Sequence, residues 1–408
     1  MSLVRDATAP LPVVVIGAGP VGLITALALA QQGVPVRVFE SEASLTHDLR
    51  ASTLHCATLD TLHPLGVTER LLKRGSPVRY WQIRDRRGGV VAEWDLGILV
   101  GDTQFPFRLA CEQHKITPIV LSMLKEFACA EVRFNAQFVD STSAANHVDV
   151  TIKTPAGLEV VRASWLIGAD GGRSAVRKTN GIDFEGFTWP EKFLGVSTEY
   201  DFSTHGFTDS AYVADPVEWA AVFKVPHDGP PGVWRIMFPT DPALADDHIL
   251  SDDFIESRMQ GFMPHSRRYA IVYRNLYSVH QRVAKTFRVG RVLLVGDAAH
   301  VNNPVGALGL NSGIHDAVNL AQKLVAVWRG EADEELMSLY ERQRRAVNIE
   351  YVQSESIRNK KLLEERDPKV RAERLEEVRS TATDRKRARE YLLRSSMITS
   401  LRQANDIV

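Results

Sequence analysis

Apolar residues fall into two kinds of run along the chain. In the first they are almost continuous. Residues 11–16, 34–39, 165–169 and 291–295 are rich in Val, Leu and Ile, the pattern of short strands covered on both faces. Helical spacing connects them. Residues 21–32 put Ala and Leu at core positions before Gly33 stops the helix, and Ile314, Ala317, Val318, Ala321 and Leu324 form one apolar stripe on a helix that opens at 309–313. Further helices are predicted over 54–65, ended by Gly66, and from Gln113 to about Phe127. In the second kind of run, apolar and polar residues alternate. Residues 78–100 alternate around Gly88-Gly89, a hairpin signature. Strands follow at 131–138, 147–153 and 158–163, and the segments 191–200, 218–225 and 232–238 predict an antiparallel sheet. From Glu331 to Val408 the chain carries 16 acidic and 17 basic residues at helix spacing, so it reads as solvated helices with local charge pairs, interrupted at Pro368.

The fold class expected is α/β. A Rossmann-like domain over 1–183, with a β excursion near 78–100, resumes at 286–330. An inserted, mainly antiparallel β-sheet substrate domain occupies 184–285, and a helical region follows over 331–408. Length supports such a division, since 408 residues exceed one small domain. A net charge of −1 gives no reason to expect nucleic acid or an anionic membrane surface as partner. No apolar run reaches the roughly 20 residues of a membrane span, and no basic region followed by a long apolar one opens the chain. Cys56, Cys111 and Cys129 lack metal-ligand spacing and read as structural thiols of a cytoplasmic protein.

Three stretches carry candidate chemistry. The first strand runs into Gly17-Ala18-Gly19-Pro20-Val21-Gly22, then a helix, then a strand closing at Glu40. That is the full setting of a dinucleotide fingerprint: glycines for the turn and close backbone approach, an acid for the ribose. The strand at 165–169 leads into Asp170-Gly171-Gly172-Arg173-Ser174-Ala175-Val176-Arg177. There Ser174 and Arg177 stand one helical turn apart, suited to a hydroxyl or phosphate. The strand at 291–295 stops at Gly296-Asp297, which puts a carboxylate at the ligand edge of the sheet, and a loop with Pro304 and Gly306 then reaches a helix N-terminus suited to a ligand that becomes negative. Aromatic residues are dense between 184 and 285, and a sheet face there would make a pocket for a flat ligand. His280 and Arg235 are the ionisable residues of that segment best suited by type to accept or pair with a phenolic proton.

The stretch Gly296-Asp297-Ala298-Ala299-His300, Pro304, Gly306, Gly309, Asn311, Gly313 and Asp316-Ala317-Val318-Asn319-Leu320 resembles the flavin-binding GD motif of the class A FAD-dependent monooxygenases, the para-hydroxybenzoate hydroxylase fold. Ala307 stands where that family often has a second glycine. Residues 168–177 resemble the family's GADGxxSxVR motif, linked there to FAD and NAD(P)H, and Arg50-Ala51-Ser52 resembles a stretch whose arginine lies along the ribityl and pyrophosphate region. Gln113 matches a glutamine placed near the flavin.

The resemblance implies FAD held by Gly17, Gly19, Pro20, Gly22, Glu40, Arg50, Gln113, Asp170, Arg177, Asp297, Pro304, Gly309, Leu310 and Asn311. It implies NADH or NADPH as reductant, dioxygen as co-substrate and a small phenolic or related aromatic compound hydroxylated through a C4a-hydroperoxyflavin. A base close to the bound hydroxyl is expected, with His280 and Arg235 as candidates. A dehydrogenase or halogenase on the same fold, or a flavin-binding protein without turnover, stays open. The Trp-x-Trp-x-Ile-Pro stretch of tryptophan halogenases is absent from the sequence. A homo-oligomer or an external flavin reductase also stays open as partner.

Overall fold

The computed structural model of the chain describes residues 10–46 and 51–408. The continuous apolar runs become the centre of a six-stranded sheet. Val13–Ile16 and Trp165–Gly168 are buried at every position. The strand order is Arg288–Val289, Val292–Leu294, Trp165–Gly168, Val13–Ile16, Val36–Phe39, Ala130–Arg133. All pairs are parallel except the first. Helices Pro20–Ala30 and Leu308–Trp328 pack against each other on this layer, and their buried Leu, Ile and Ala positions join its core.

The alternating runs build a second, eight-stranded sheet. Its order is His300–Val301, Ile271–Ala284, Phe184–Thr198, Val233–Pro239, Ala220–Val225, Ser210–Ala214, Tyr80–Asp85, Gly89–Asp95. Its period of two divides the side chains between two faces. Leu194, Val196, Val222, Trp234, Ile236 and Phe238 pack on one side with Phe202, Met259 and Phe262. Phe223, Arg235, Met237 and Tyr277 face the other way and line a cleft.

Two elements differ from the sequence expectation. The hairpin near 78–100 belongs by hydrogen bonding to the second sheet: Tyr80–Asp85 pairs in parallel with Ser210–Ala214. Trp81 and Trp94 supply the reason. Their rings are stacked, Tyr391 stacks on Trp94 at 4.1 Å between centroids, and this apolar face is covered by C-terminal helices. The strand expected over 131–138 is two. Asn135 takes φ +53°, which Asn tolerates better than most residues, and the chain leaves the parallel layer there to enter a small antiparallel sheet as Gln137–Ser143.

The C-terminal helices Leu336–Val347, Ser354–Glu364, Pro368–Thr383, Arg385–Ser395 and Ile398–Asp406 touch both layers. Arg371 pairs with Asp85, and Arg389 and Arg402 with Asp102. Deeper, Asp316 joins three elements. It pairs with His300 Nε2 at 2.6 Å and Arg344 Nε at 2.7 Å and accepts the Gly296 N–H at 3.1 Å, and all three side chains are almost fully buried. Burial pushes the Asp316 carboxyl up, but His300 and Arg344 outweigh it and hold it well below the usual carboxylate range. Among the described residues no helix is long and apolar enough to cross a membrane.

Because this carboxyl titrates lower when folded than when unfolded, its contribution to stability is present at neutral pH and is lost as pH falls below the ordinary carboxylate range. Asp316→Asn leaves Arg344 buried beside a neutral group and is expected to cost about 3–5 kcal/mol, with less acid dependence below pH ~4. Urea unfolding of both proteins over an acid-to-neutral pH series checks this, and equal midpoints at neutral pH would contradict it.

Candidate functional site

Three strand ends turn at the carboxyl edge of the parallel sheet, and they touch. At Gly17, φ +105°, an added Cβ would lie 2.5 Å from Ala169 O, and at Gly22 it would lie 2.1 Å from Gly17 O. Gly313, inside the helix Leu308–Trp328, would place a Cβ 3.0 Å from Gly296 Cα and 2.8 Å from Val21 Cγ2. Only residues without a side chain allow these turns to nest. Gly19 differs, since a Cβ there meets no protein atom within 4 Å, and the residue lines the cleft.

The cleft holds about 610 Å³, within the range of ligand pockets. It begins at Glu40, passes Gly17, Asp170 and Asp297, and ends between the Pro304 loop and the second sheet. Glu40 Oε2 accepts from Ala18 N at 2.7 Å, while Oε1 accepts from Glu42 N at 3.0 Å and Ser41 Oγ at 3.1 Å. A carboxylate has about four acceptor positions, so one remains for a hydroxyl. Asp297 is exposed to the cleft on the short helical turn Gly296–Ala298.

The loop after it is held from three sides. Tyr212 Oη accepts from Gly306 N at 3.0 Å, His55 Nε2 lies 2.9 Å from Gly306 O, and Gln281 Oε1 accepts from Asn303 N and Nδ2 at 3.1 Å. Ala307 takes φ +55° immediately before the helix, where a glycine would be less strained. Leu308, Gly309 and Leu310 then bring unpaired backbone N–H groups of the first helical turn to the cleft wall.

Gly17, Gly19, Pro20, Glu40, Gln113, Asp170, Asp297, Pro304, Gly309, Leu310, Arg235 and His280 therefore line one cavity. Arg50 lies outside the described residues. Gly22 and Asn311 act behind the wall. Asn311 is fully buried, its Nδ2 donating to Thr53 O and Ala307 O and its Oδ1 accepting from His55 N.

Asp170 and Arg177 spend their polar atoms internally. The Asp170 carboxylate accepts from Ser174 Oγ, Ala175 N and Val176 N, capping the helix Ala175–Thr179. Arg177 donates to Ala298 O and Gly172 O, both at 2.9 Å, and its guanidinium lies 3.8 Å from the Phe184 ring centroid. This arginine clamps two cleft-bearing turns together and does not itself line the cavity, a correction to its expected contact with phosphate.

Sequence reasoning missed Phe223, Met237 and Gly195 on the sheet wall, and Arg173 near the mouth. Alternation within 218–225 and 232–238 was visible, but which of the two faces would meet the cleft depends on long-range packing. His280 is exposed and bonds Thr188 Oγ1 at 2.9 Å. Partial burial, then Arg282 and Arg173, push its pKa down, which favours the neutral ring. Arg235 is buried on the cleft side of its strand.

The donor set fits an elongated dinucleotide: a close glycine turn, an acid with spare acceptor capacity at one end, a second acid midway and a helix N-terminus beyond. Gly19→Ala is expected to keep the wild-type melting temperature yet lose at least about tenfold in cofactor affinity, because its methyl meets only the ligand. Gly22→Ala, forced against Gly17 O, is expected to lower both. Melting curves and the flavin-to-protein absorbance ratio separate the two, and full cofactor retention in both variants would contradict this placement.

A family model described as an FAD binding domain matches residues 10–355. Over 384 residues the chain is 35% identical to the para-nitrophenol 4-monooxygenase of Pseudomonas sp. (strain WBC-3), covering 93% of this chain and 94% of that protein. It is 34% identical to the 6-hydroxy-3-succinoylpyridine 3-monooxygenase of Pseudomonas putida (strain DSM 28022 / S16), covering 85% and 88%. The crystal structure of p-nitrophenol 4-monooxygenase from Pseudomonas putida DLL-E4 superposes with a TM-score of 0.90 at 33% identity, covering 97% of this chain and 98% of that one. With the family model spanning most of its length and its relatives matching nearly end to end, the chain belongs to the FAD-binding class A aromatic flavin monooxygenases.

Proposed function

We propose that the protein hydroxylates a small phenol or hydroxypyridine at the end of the cleft near Pro304, consuming NADH or NADPH and dioxygen. The observation that carries this reading is the continuity of one cavity from Glu40 past Asp297 to Phe223, Met237 and Tyr277. Glu40 would accept from the adenosine ribose and Asp297 from ribityl hydroxyls, while the amides at Leu308, Gly309 and Leu310 would oppose negative charge on the ring system. Bound FAD supplies reducing equivalents to dioxygen and an electrophilic oxygen to the aromatic ring.

The residues around the ring site supply binding, orientation and exclusion of water. Phe223, Met237 and Tyr277 form an apolar wall, with Tyr277 Oη donating to Met237 Sδ at 2.7 Å, and such a wall favours a flat substrate while keeping bulk water from the reacting carbon. Arg173 and His280 bring donors to the cleft wall, with Arg282 in electrostatic reach of His280, which supports docking of a phosphate-bearing reductant there. A neutral His280 at that rim is better placed to contact reductant or relay a proton outward than to take one from a ring deeper in the cleft. The relatives' named substrates, a nitrophenol and a hydroxylated pyridine, support the substrate class. Three free cysteines support a reducing cytoplasmic setting.

Asp297→Ala is expected to give nearly colourless protein, since a hydrogen-bonded carboxylate midway along the cofactor is lost; full flavin retention would contradict the ribityl assignment. A panel of nitrophenols, hydroxybenzoates and hydroxypyridines, scored for stimulated NADH and NADPH oxidation with matching oxygen uptake, tests the reaction. At least one member is expected to be hydroxylated. A flavin-loaded protein unresponsive to every member would favour a non-hydroxylating role.

A further inference from the structure

A guanidinium lies buried beside the substrate wall with no carboxylate in ion-pair contact among the described residues. Arg108, on the strand Arg108–Ala110, is 4% exposed, and its Nε has no hydrogen-bond partner. Among the described residues no acidic group comes within 4.0 Å of it. Its guanidinium carbon lies 4.4 Å from the ring centroid of Trp81. A ring face offsets only part of what a guanidinium loses on leaving water, and buried cations ordinarily have an anionic partner.

Arg108 lines a small alcove together with Ser52, Thr53, Ser210 and Phe223. Ser52, Thr53 and Phe223 also line the main cleft, so the alcove adjoins the wall against which the aromatic substrate would lie. Ser210 is 5% exposed, and its hydroxyl is likewise without a partner. Two buried donors thus border a space of about 10 Å³, the room of about one oxygen atom. That space is too small for a carboxylate or nitro group. Asp209 and Lys224 also line it, with Val78, Ala110 and Val225.

Resting on the reading of this cleft as a phenol hydroxylase site, we propose that Arg108, assisted by Ser210, receives the substrate's phenolic oxygen and holds it as the phenolate. A cation at hydrogen-bonding distance favours the charged form of a phenol, and the phenolate ring is the more electron-rich partner for an electrophilic oxygen. No base beside the alcove needs to keep the proton. His55, an imidazole in electrostatic reach of Arg108, is held down to about 3 by burial and then by Arg108 itself, so it stays neutral throughout the physiological range. The proton leaves to solvent as the substrate binds, and Arg108 is a catalytic residue in the sense that it touches the reacting ring's oxygen.

The test is titration of FAD-loaded wild-type protein with 4-nitrophenol across a pH series spanning that ligand's own ionisation. Its phenol and phenolate forms are told apart by absorbance, and nitrobenzene, which lacks the phenolic oxygen, serves as the control. Wild type is expected to lower the bound ligand's apparent pKa by a unit or more, binding phenolate at least about tenfold more tightly than phenol. Arg108→Met is expected to abolish that preference, Arg108→Lys to restore part of it, and Ser210→Ala to weaken it less. All three should keep FAD and bind nitrobenzene like wild type. An unchanged ligand pKa in Arg108→Met, or a parallel loss of nitrobenzene binding, would show that Arg108 serves packing and overturn the proposal. If phenols are hydroxylated while that pKa is insensitive to Arg108, only this assignment falls. If no phenol binds or reacts, the functional reading falls with it.

Discussion

The nesting of three strand-end turns, with no room for a side chain between them, is the constraint on which everything else depends. Gly17 lies against Ala169, Gly22 against Gly17, and Gly313 against Gly296. The first contact joins segments remote in sequence and the other two tie a turn to the helix that follows it, and together they bring the ends of three parallel strands to one edge. A carboxylate after the second strand, Glu40, and another after the strand Val292–Leu294, Asp297, thereby border a single cavity. A methyl group at any of these glycines would separate the walls before any question of chemistry arose.

Around that edge the molecule divides its labour. The parallel layer supplies backbone amides and carboxylates for a long polar ligand, and the antiparallel layer supplies an apolar wall. The loop from Asn303 to Ala307 lies between them, and residues of both His55's segment and the second sheet hold it. The buried His300–Asp316–Arg344 cluster fixes the turn at Gly296 to the following helix and to Leu336–Val347. Replacing such charges with apolar groups can leave stability unchanged, whereas removing one partner is costly. The cluster is thus best understood as a registry device, setting where Asp297 and the helix N-terminus stand.

Much of this was legible in the sequence because it is local. Continuous Val and Leu runs, glycines at strand exits and the acid closing the second strand each carry their own physical reason within a few residues. What was not legible is what depends on contacts between distant segments. Asp170 and Arg177 look like ligand residues in a motif, yet one caps the helix that follows it and the other ties Gly172 to Ala298. The hairpin at Tyr80–Asp85 announced itself, but its parallel pairing with Ser210–Ala214 depends on an aromatic face that C-terminal helices complete. Arg108 stands in an apolar stretch beside Phe107 and Leu109. A charge so placed was a signal, and only the fold reveals that Ser210 shares its alcove.

A crystal structure of the flavin-loaded protein tests the central claim most directly. The adenosine ribose is expected within hydrogen-bond distance of Glu40, the ribityl chain beside Asp297, and the tricyclic ring next to Pro304 with its open face toward Phe223 and Tyr277. A flavin found with Glu40 and Asp297 facing different cavities, or with its ring turned away from the second sheet, would contradict it.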